Sequence, residues 1–226
     1  MQTKNILLVE GASDQKFFNQ LLADLPSQVE IEPKIPRDVD AQIYRNGLQP
    51  LYKQLKLQVD LLIRGQVSTL GVIVDADHST QELNGFNNRR DQLTSLLSDK
   101  GFIITDMPLQ EGNGEIFSHP SGAKIGIWIM PNHFSDGMIE DLFISTTKPS
   151  QNDLLNHAKT TIGNLGELKT FADHHDSKAH LSTWLAWQKE PGISPSYAYH
   201  QGLFEKDHPN FIALITWLQK VFNPTP

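Results

Sequence analysis

Leu70-Gly71-Val72-Ile73-Val74-Asp75-Ala76-Asp77 is the stretch on which the fold turns. An unbroken apolar run of this length, rich in β-branched residues, reads as a strand buried on both faces, the habit of a parallel sheet. It ends in two acids. A second such run, Ile6-Leu7-Leu8-Val9, ends in Glu10-Gly11. Open α/β sheets place their ligands beyond the carboxyl ends of parallel strands. Two such strands side by side would bring Glu10, Asp75 and Asp77 together. Carboxylates that close repel one another unless a cation joins them, and hard oxygen donors suit Mg²⁺ or Mn²⁺. Asp75 and Asp77 are one residue apart, so in extended backbone they point to the same side and could chelate jointly. The pattern implies a metal-dependent phosphoryl-transfer site.

Working outward, residues 5–10 read as the first strand. Ser13 is the expected N-cap of the following helix, with Asp14 favourably near its positive end. Phe17, Phe18, Leu21, Leu22 and Leu25 form the helix's apolar face, and Pro26 stops it. Residues 29–35 suggest a short edge strand. Helical spacing then recurs over about 48–63 and 87–100, with Gly101 at the terminal cap. Phe102-Ile103-Ile104 reads as a third core strand. Glu115-Ile116-Phe117 and Lys124 to Met130 flank a turn at Pro120-Ser121-Gly122. Strands alternating with helices predict an α/β fold with a mostly parallel sheet over residues 1–145. After the linker Thr146-Thr147-Lys148-Pro149-Ser150 the pattern is helical, at 151–162, 177–188 and 208–222. Residues 146–226 are thus expected to form a helical C-terminal extension packed on the sheet domain.

Composition narrows the class. The chain has 226 residues, 38% hydrophobic and 20% charged, which fits a globular protein rather than a disordered one. No apolar stretch nears the roughly 20 residues of a membrane span. Met1-Gln2-Thr3-Lys4 leads straight into a strand, so no signal peptide is expected. Without cysteine there is neither a disulfide framework nor a thiolate zinc site. A cytoplasmic protein is the plain expectation. The net charge of −7 argues against a broad basic surface for nucleic acid. Acidic metal ligands inflate that count, however, and bound divalent ions would reverse the local field.

Each candidate has a plainer reading beside the functional one. Glu10 is a metal ligand or general base, or an exposed glutamate at a strand end. Asp75 and Asp77 chelate, or cap a helix from a loop. Glu140 and Asp141, in Met138-Ile139-Glu140-Asp141-Leu142-Phe143, add a third acidic contribution, or are a helix start favoured by the dipole. Lys178 neutralises charge at a phosphoryl site, or is an exposed helical lysine. His174-His175-Asp176 lacks the i, i+4 spacing of a helical metal pair and reads as a capping loop. Trp184, Trp187 and Trp217 read as packing aromatics of the C-terminal helices.

Taken together, Glu-Gly after strand one, Asp-x-Asp after a later strand and a further acidic helix start resemble the Toprim fold, a Rossmann-like architecture shared by topoisomerases, primases and OLD-type nucleases. That resemblance implies a general acid/base or metal role for Glu10 and Mg²⁺ binding by Asp75 and Asp77. Asp14, four positions after Glu10, matches a second acid that OLD-type members often carry. The chain looks closer still to a small bacterial Toprim-like family related to those nucleases, through Pro131-Asn132-His133, Gly137 to Phe143, Ser177-Lys178-Ala179, Gly202-Leu203-Phe204 and Pro209-Asn210-Phe211. By this resemblance Glu140 and Lys178 join the site. The expected activity is Mg²⁺- or Mn²⁺-dependent cleavage of DNA or RNA. The alternative is a non-catalytic module that binds metal or a protein partner within a larger defence or repair assembly. The charge, and the absence from this sequence of a Gly-x-x-x-x-Gly-Lys-Ser/Thr loop, favour that alternative. A receiver-like domain ranks last, because Lys124 begins a strand instead of ending one.

Overall fold

The computed structural model describes residues 4–23, 28–33, 48–78, 84–105 and 109–223. Leu25, Pro26, Lys34 and Ile35, which entered the sequence reading, lie outside them. Six strands form one sheet in the order β2-β1-β3-β6-β5-β4: β1 Lys4–Val9, β2 Val29–Pro33, β3 Val67–Asp75, β4 Ile103–Ile104, β5 Glu115–Ser118 and β6 Lys124–Met130. The first four in that order are parallel, while at one edge β5 pairs antiparallel with both β6 and β4.

The two deciding runs lie side by side, Leu7 opposite Gly71 and Leu8 opposite Val72. Their unbroken apolarity follows from burial on both faces. Leu7, Val9 and Ile73 enter one core, while Ile6, Leu8, Val72 and Val74 enter the other, as the two-residue period of a strand requires. Helix α1 (Ala12–Leu21) covers the first face, and α2 (Leu48–Ile63) and α3 (Phe86–Ser98) cover the second. The chain thus leaves β1 and returns to β3 on opposite faces. This makes the β1/β3 carboxyl ends a topological switch point, where open α/β sheets form a crevice.

The first face is completed by α4 (Ile139–Ser145), α5 (Asn152–Gly163), α6 (Asp176–Ala186), α7 (Pro195–His200) and α8 (Pro209–Phe222). These C-terminal helices share a single core with the sheet. Helix α8 lies directly on a glycine platform. Gly71 and Gly126 are register partners across β3 and β6, and a Cβ on either would stand 2.9 Å from Phe222 Cζ or 2.3 Å from Val221 Cγ2. Trp217 sits on Gly114 in the same way, 2.3 Å from a Cβ there.

Several expectations need correction. The N-cap of α1 is Gly11, not Ser13: the backbone is extended at Gly11, and Asp14 reaches back to accept its N–H at 2.9 Å. Phe102 is buried, but Ile103 and Ile104 are 66% and 39% exposed. They form a two-residue edge strand with one ladder partner, not a core strand. Trp184 and Trp217 are buried, whereas Trp187 is partly exposed beside His157. Helix α7 was not foreseen, although Ser194-Pro195 carries its start signal: Ser194 Oγ accepts the Tyr197 N–H at 3.2 Å. Among the described residues, no helix is long and apolar enough to cross a membrane.

Candidate functional site

Glu10 follows β1 and Asp75 ends β3, so strand pairing alone makes them neighbours. Glu10 Oε1 accepts the backbone N–H of Asp75 at 3.2 Å. Asp75 Oδ1 in turn accepts the Ile139 N–H at the start of α4, at 2.9 Å. This second bond draws in the acidic helix start from 64 residues away. Glu140, the residue after Ile139, bears on Asp75 by its charge, and Asp141 caps its own helix by accepting the Met138 N–H at 2.8 Å. Ser177, preceding Lys178, donates to Asp141 and ties the start of α6 to α4. Lys178 Nζ stands 3.6 Å from Glu140 Oε1, with Lys178 58% and Glu140 16% exposed.

The electrostatic signature is that of crowded acids. Burial pushes the Asp75 carboxyl well above the usual carboxylate range, and the charges of Glu10, Glu140, Asp14 and Asp77 push it further, in that order. Four acids nominated from the sequence therefore bear on the carboxyl group of a fifth. Asp77 and Glu140 also act on His175, which lies just before α6. The acidic end of the sheet is thus bordered by the helical extension.

Asp77 departs from expectation. The strand stops at Asp75, and Asp77 is left-handed, with φ 59°. Its N–H donates to Gly137 O at 2.9 Å, and its carbonyl accepts from Gly137 N at 3.0 Å. The two acids are thus not successive same-side residues of one extended strand. The Asp77 carboxylate is engaged at 2.9 Å by Arg89, a buried guanidinium on α3. Arg89 also donates to Asp75 O at 3.1 Å, Asn84 Oδ1 at 3.3 Å and Gln92 Oε1 at 3.2 Å. Tyr52 on α2 donates to the same Gln92 oxygen at 2.8 Å. Among the described residues, no three Asp, Glu or His side chains stand ready as a ligand set for one ion.

Arg89 is the residue sequence reasoning missed. A signal existed: Arg89, Leu93 and Leu97 recur every four residues, placing Arg89 on the apolar stripe of α3. A cation on a buried stripe needs partners, and the loop after β3 supplies them.

Architecture and site define an α/β protein with a mostly parallel sheet, doubly wound about β1 and β3, and an acidic crevice at the switch point. The chain belongs to the family described as Protein of unknown function (DUF3226), which it matches over residues 4–223. No curated protein and no solved structure matches it.

Proposed function

We propose that this protein is a divalent-metal-dependent phosphodiesterase that cleaves nucleic acid, with a Toprim-like site held by Glu10, Asp75 and Glu140. The carrying observation is the half-buried Asp75 carboxyl, on which the charges of Glu10, Glu140 and Asp14 bear at the sheet's switch point. Such a set of hard oxygen donors in a desolvated place suits Mg²⁺ or Mn²⁺ and is costly without one. The bound ion would supply charge stabilisation for the phosphoryl oxygens and a more acidic water. Glu10, already positioned by the Asp75 N–H, takes the proton of the attacking water. The water oxygen bonds to phosphorus, and the ester P–O bond breaks with its electron pair on the leaving oxygen, which solvent protonates. Lys178, exposed at the rim beside Glu140, offsets the charge that builds on the phosphoryl group. Asp77, paired with Arg89, shapes the loop and has the lesser part in metal binding. Asp14 holds the Gly11 turn that presents Glu10.

A second reading draws on the lack, among the described residues, of three acids or histidines grouped for one ion. There the protein is a non-catalytic module that binds a metal or a protein partner. One experiment separates the two. Purified protein is incubated with single-stranded DNA, duplex DNA and RNA in Mg²⁺, Mn²⁺ or EDTA, alongside Asp75→Ala and Asp77→Ala. The enzyme reading expects metal-dependent cleavage, abolished in Asp75→Ala and reduced in Asp77→Ala. Equal cleavage by all three proteins means a contaminant. Metal binding without turnover on any substrate selects the module.

A further inference from the structure

A cleft of about 360 Å³ opens beside the acidic crevice, between α1, α4, α6 and the segment before α7. It shares Asp14 and Ile139 with the small cavity of about 10 Å³ that Glu10 and Asp75 line. The two spaces therefore have a common wall. Phe17, Phe143 and Leu181 give the cleft an apolar lining, and Asp14, Glu140 and Lys178 stand on its polar side. Its volume falls within the range of small-molecule sites.

The charges decide what can enter. Two carboxylates against one ammonium oppose a phosphate inside the cleft. A phosphate is better placed at its edge, by Lys178 and the ion. An occupant lying on Phe17, Phe143 and Leu181 is apolar-faced, and it meets the side chains of Asp14 and Glu140 with hydrogen-bond donors, because carboxylate oxygens accept. A nucleobase bearing an amino group meets both demands. A paired, stacked base cannot reach such a cleft without leaving its helix.

Resting on the phosphodiesterase reading, we propose that this cleft is a nucleobase pocket. The substrate is then single-stranded, or splayed to a single strand, next to the cleaved bond. Adenine, cytosine and guanine are favoured over uracil and thymine.

The test is calorimetric titration with AMP, UMP and inorganic phosphate, in Mg²⁺ and in EDTA, with the Mg²⁺ shift in melting temperature recorded in parallel. Ser182→Trp and Ser13→Trp place an indole in the cleft from opposite walls, at exposed positions that tolerate a larger side chain. AMP should bind at least tenfold more tightly than phosphate and than UMP. Each tryptophan should weaken AMP at least tenfold while leaving the Mg²⁺ shift intact. AMP binding no tighter than phosphate overturns the pocket, as does unchanged AMP affinity in either folded variant. AMP binding without any Mg²⁺ shift overturns the metal reading and leaves the pocket standing. A Mg²⁺ shift without base preference does the reverse.

Discussion

Asp75→Asn should make this protein more stable without metal and less stable with it. Asparagine is the isostere of the protonated acid, and its oxygen can still accept the Ile139 N–H that Asp75 Oδ1 holds at 2.9 Å. The variant is therefore relieved of ionising a half-buried carboxyl against Glu10, Glu140, Asp14 and Asp77. Each unit by which folding raises a carboxyl's pKa costs about 1.4 kcal/mol at higher pH. The shift at Asp75 is upward, so the variant should melt above wild type at pH 7.5 in EDTA. For a chain of this size each kcal/mol is about 2–4 °C in melting temperature. With Mg²⁺ at about one hundred times its dissociation constant, wild type should gain about 2.7 kcal/mol, or about 5–11 °C. The variant should gain almost nothing, so the order of stability inverts between the two buffers. The sign with pH follows from the raised value. Asp75's contribution to stability is fully present below the unfolded pKa near 3.8 and is lost as pH rises through the folded pKa. The advantage of Asp75→Asn should therefore shrink in acid. Differential scanning fluorimetry in EDTA and Mg²⁺, from pH 5 to 8, is sufficient. A variant less stable than wild type in EDTA, with an undiminished Mg²⁺ shift, would refute the crowded-ligand argument and leave Asp75 as a helix anchor.

Four further outcomes are expected. Arg89→Met removes the ion pair with Asp77 and the bonds to Asp75 O, Asn84 and Gln92, and should destabilise by about 2–4 kcal/mol in urea unfolding. Asp77 is 37% exposed, so solvent screening makes Asp77→Asn milder, and the double variant should cost less than the sum; strict additivity would show the pair is not coupled. Lys178→Ala should leave the melting temperature within about 1 °C, since its pair with Glu140 is largely solvated, yet lower turnover by about 10²-fold or more; unchanged turnover removes it from the site. Gly126→Ala should cost about 1–3 kcal/mol, because a Cβ there meets Val221 at 2.3 Å; an unperturbed midpoint in denaturant would mean α8 is not seated on the sheet. His133 is fully buried, and burial lowers its pKa despite Glu115, so stability it supports above pH 6.5 is lost as pH falls; His133→Asn should flatten that limb, and an unaltered limb would exonerate it.

Legibility in the sequence was uneven for physical reasons. The apolar runs at Ile6–Val9 and Leu70–Val74 declare strands because burial on both faces leaves no room for polar residues. The helices at Leu48–Ile63 and Pro209–Phe222 declare themselves by period. Ile103-Ile104 misled because β-branched residues suit an exposed edge as well as a core. Arg89 escaped notice because its partners, Asn84, Asp77 and Gln92, straddle a loop and a helix. The glycines beneath α8 carried no local sign either, since their meaning lies in what rests on them.

By itself the sequence determined that acids stand at the ends of two buried strands, since local apolarity and chain order suffice for that. Tertiary structure alone decided that the Ile139 N–H reaches Asp75 with Glu140 next to it and Lys178 3.6 Å from Glu140, that Asp77 turns to Arg89, and that burial and four neighbouring acids together raise the Asp75 carboxyl. Coulomb repulsion and desolvation act through space between groups brought together by packing, and they leave no period along the chain.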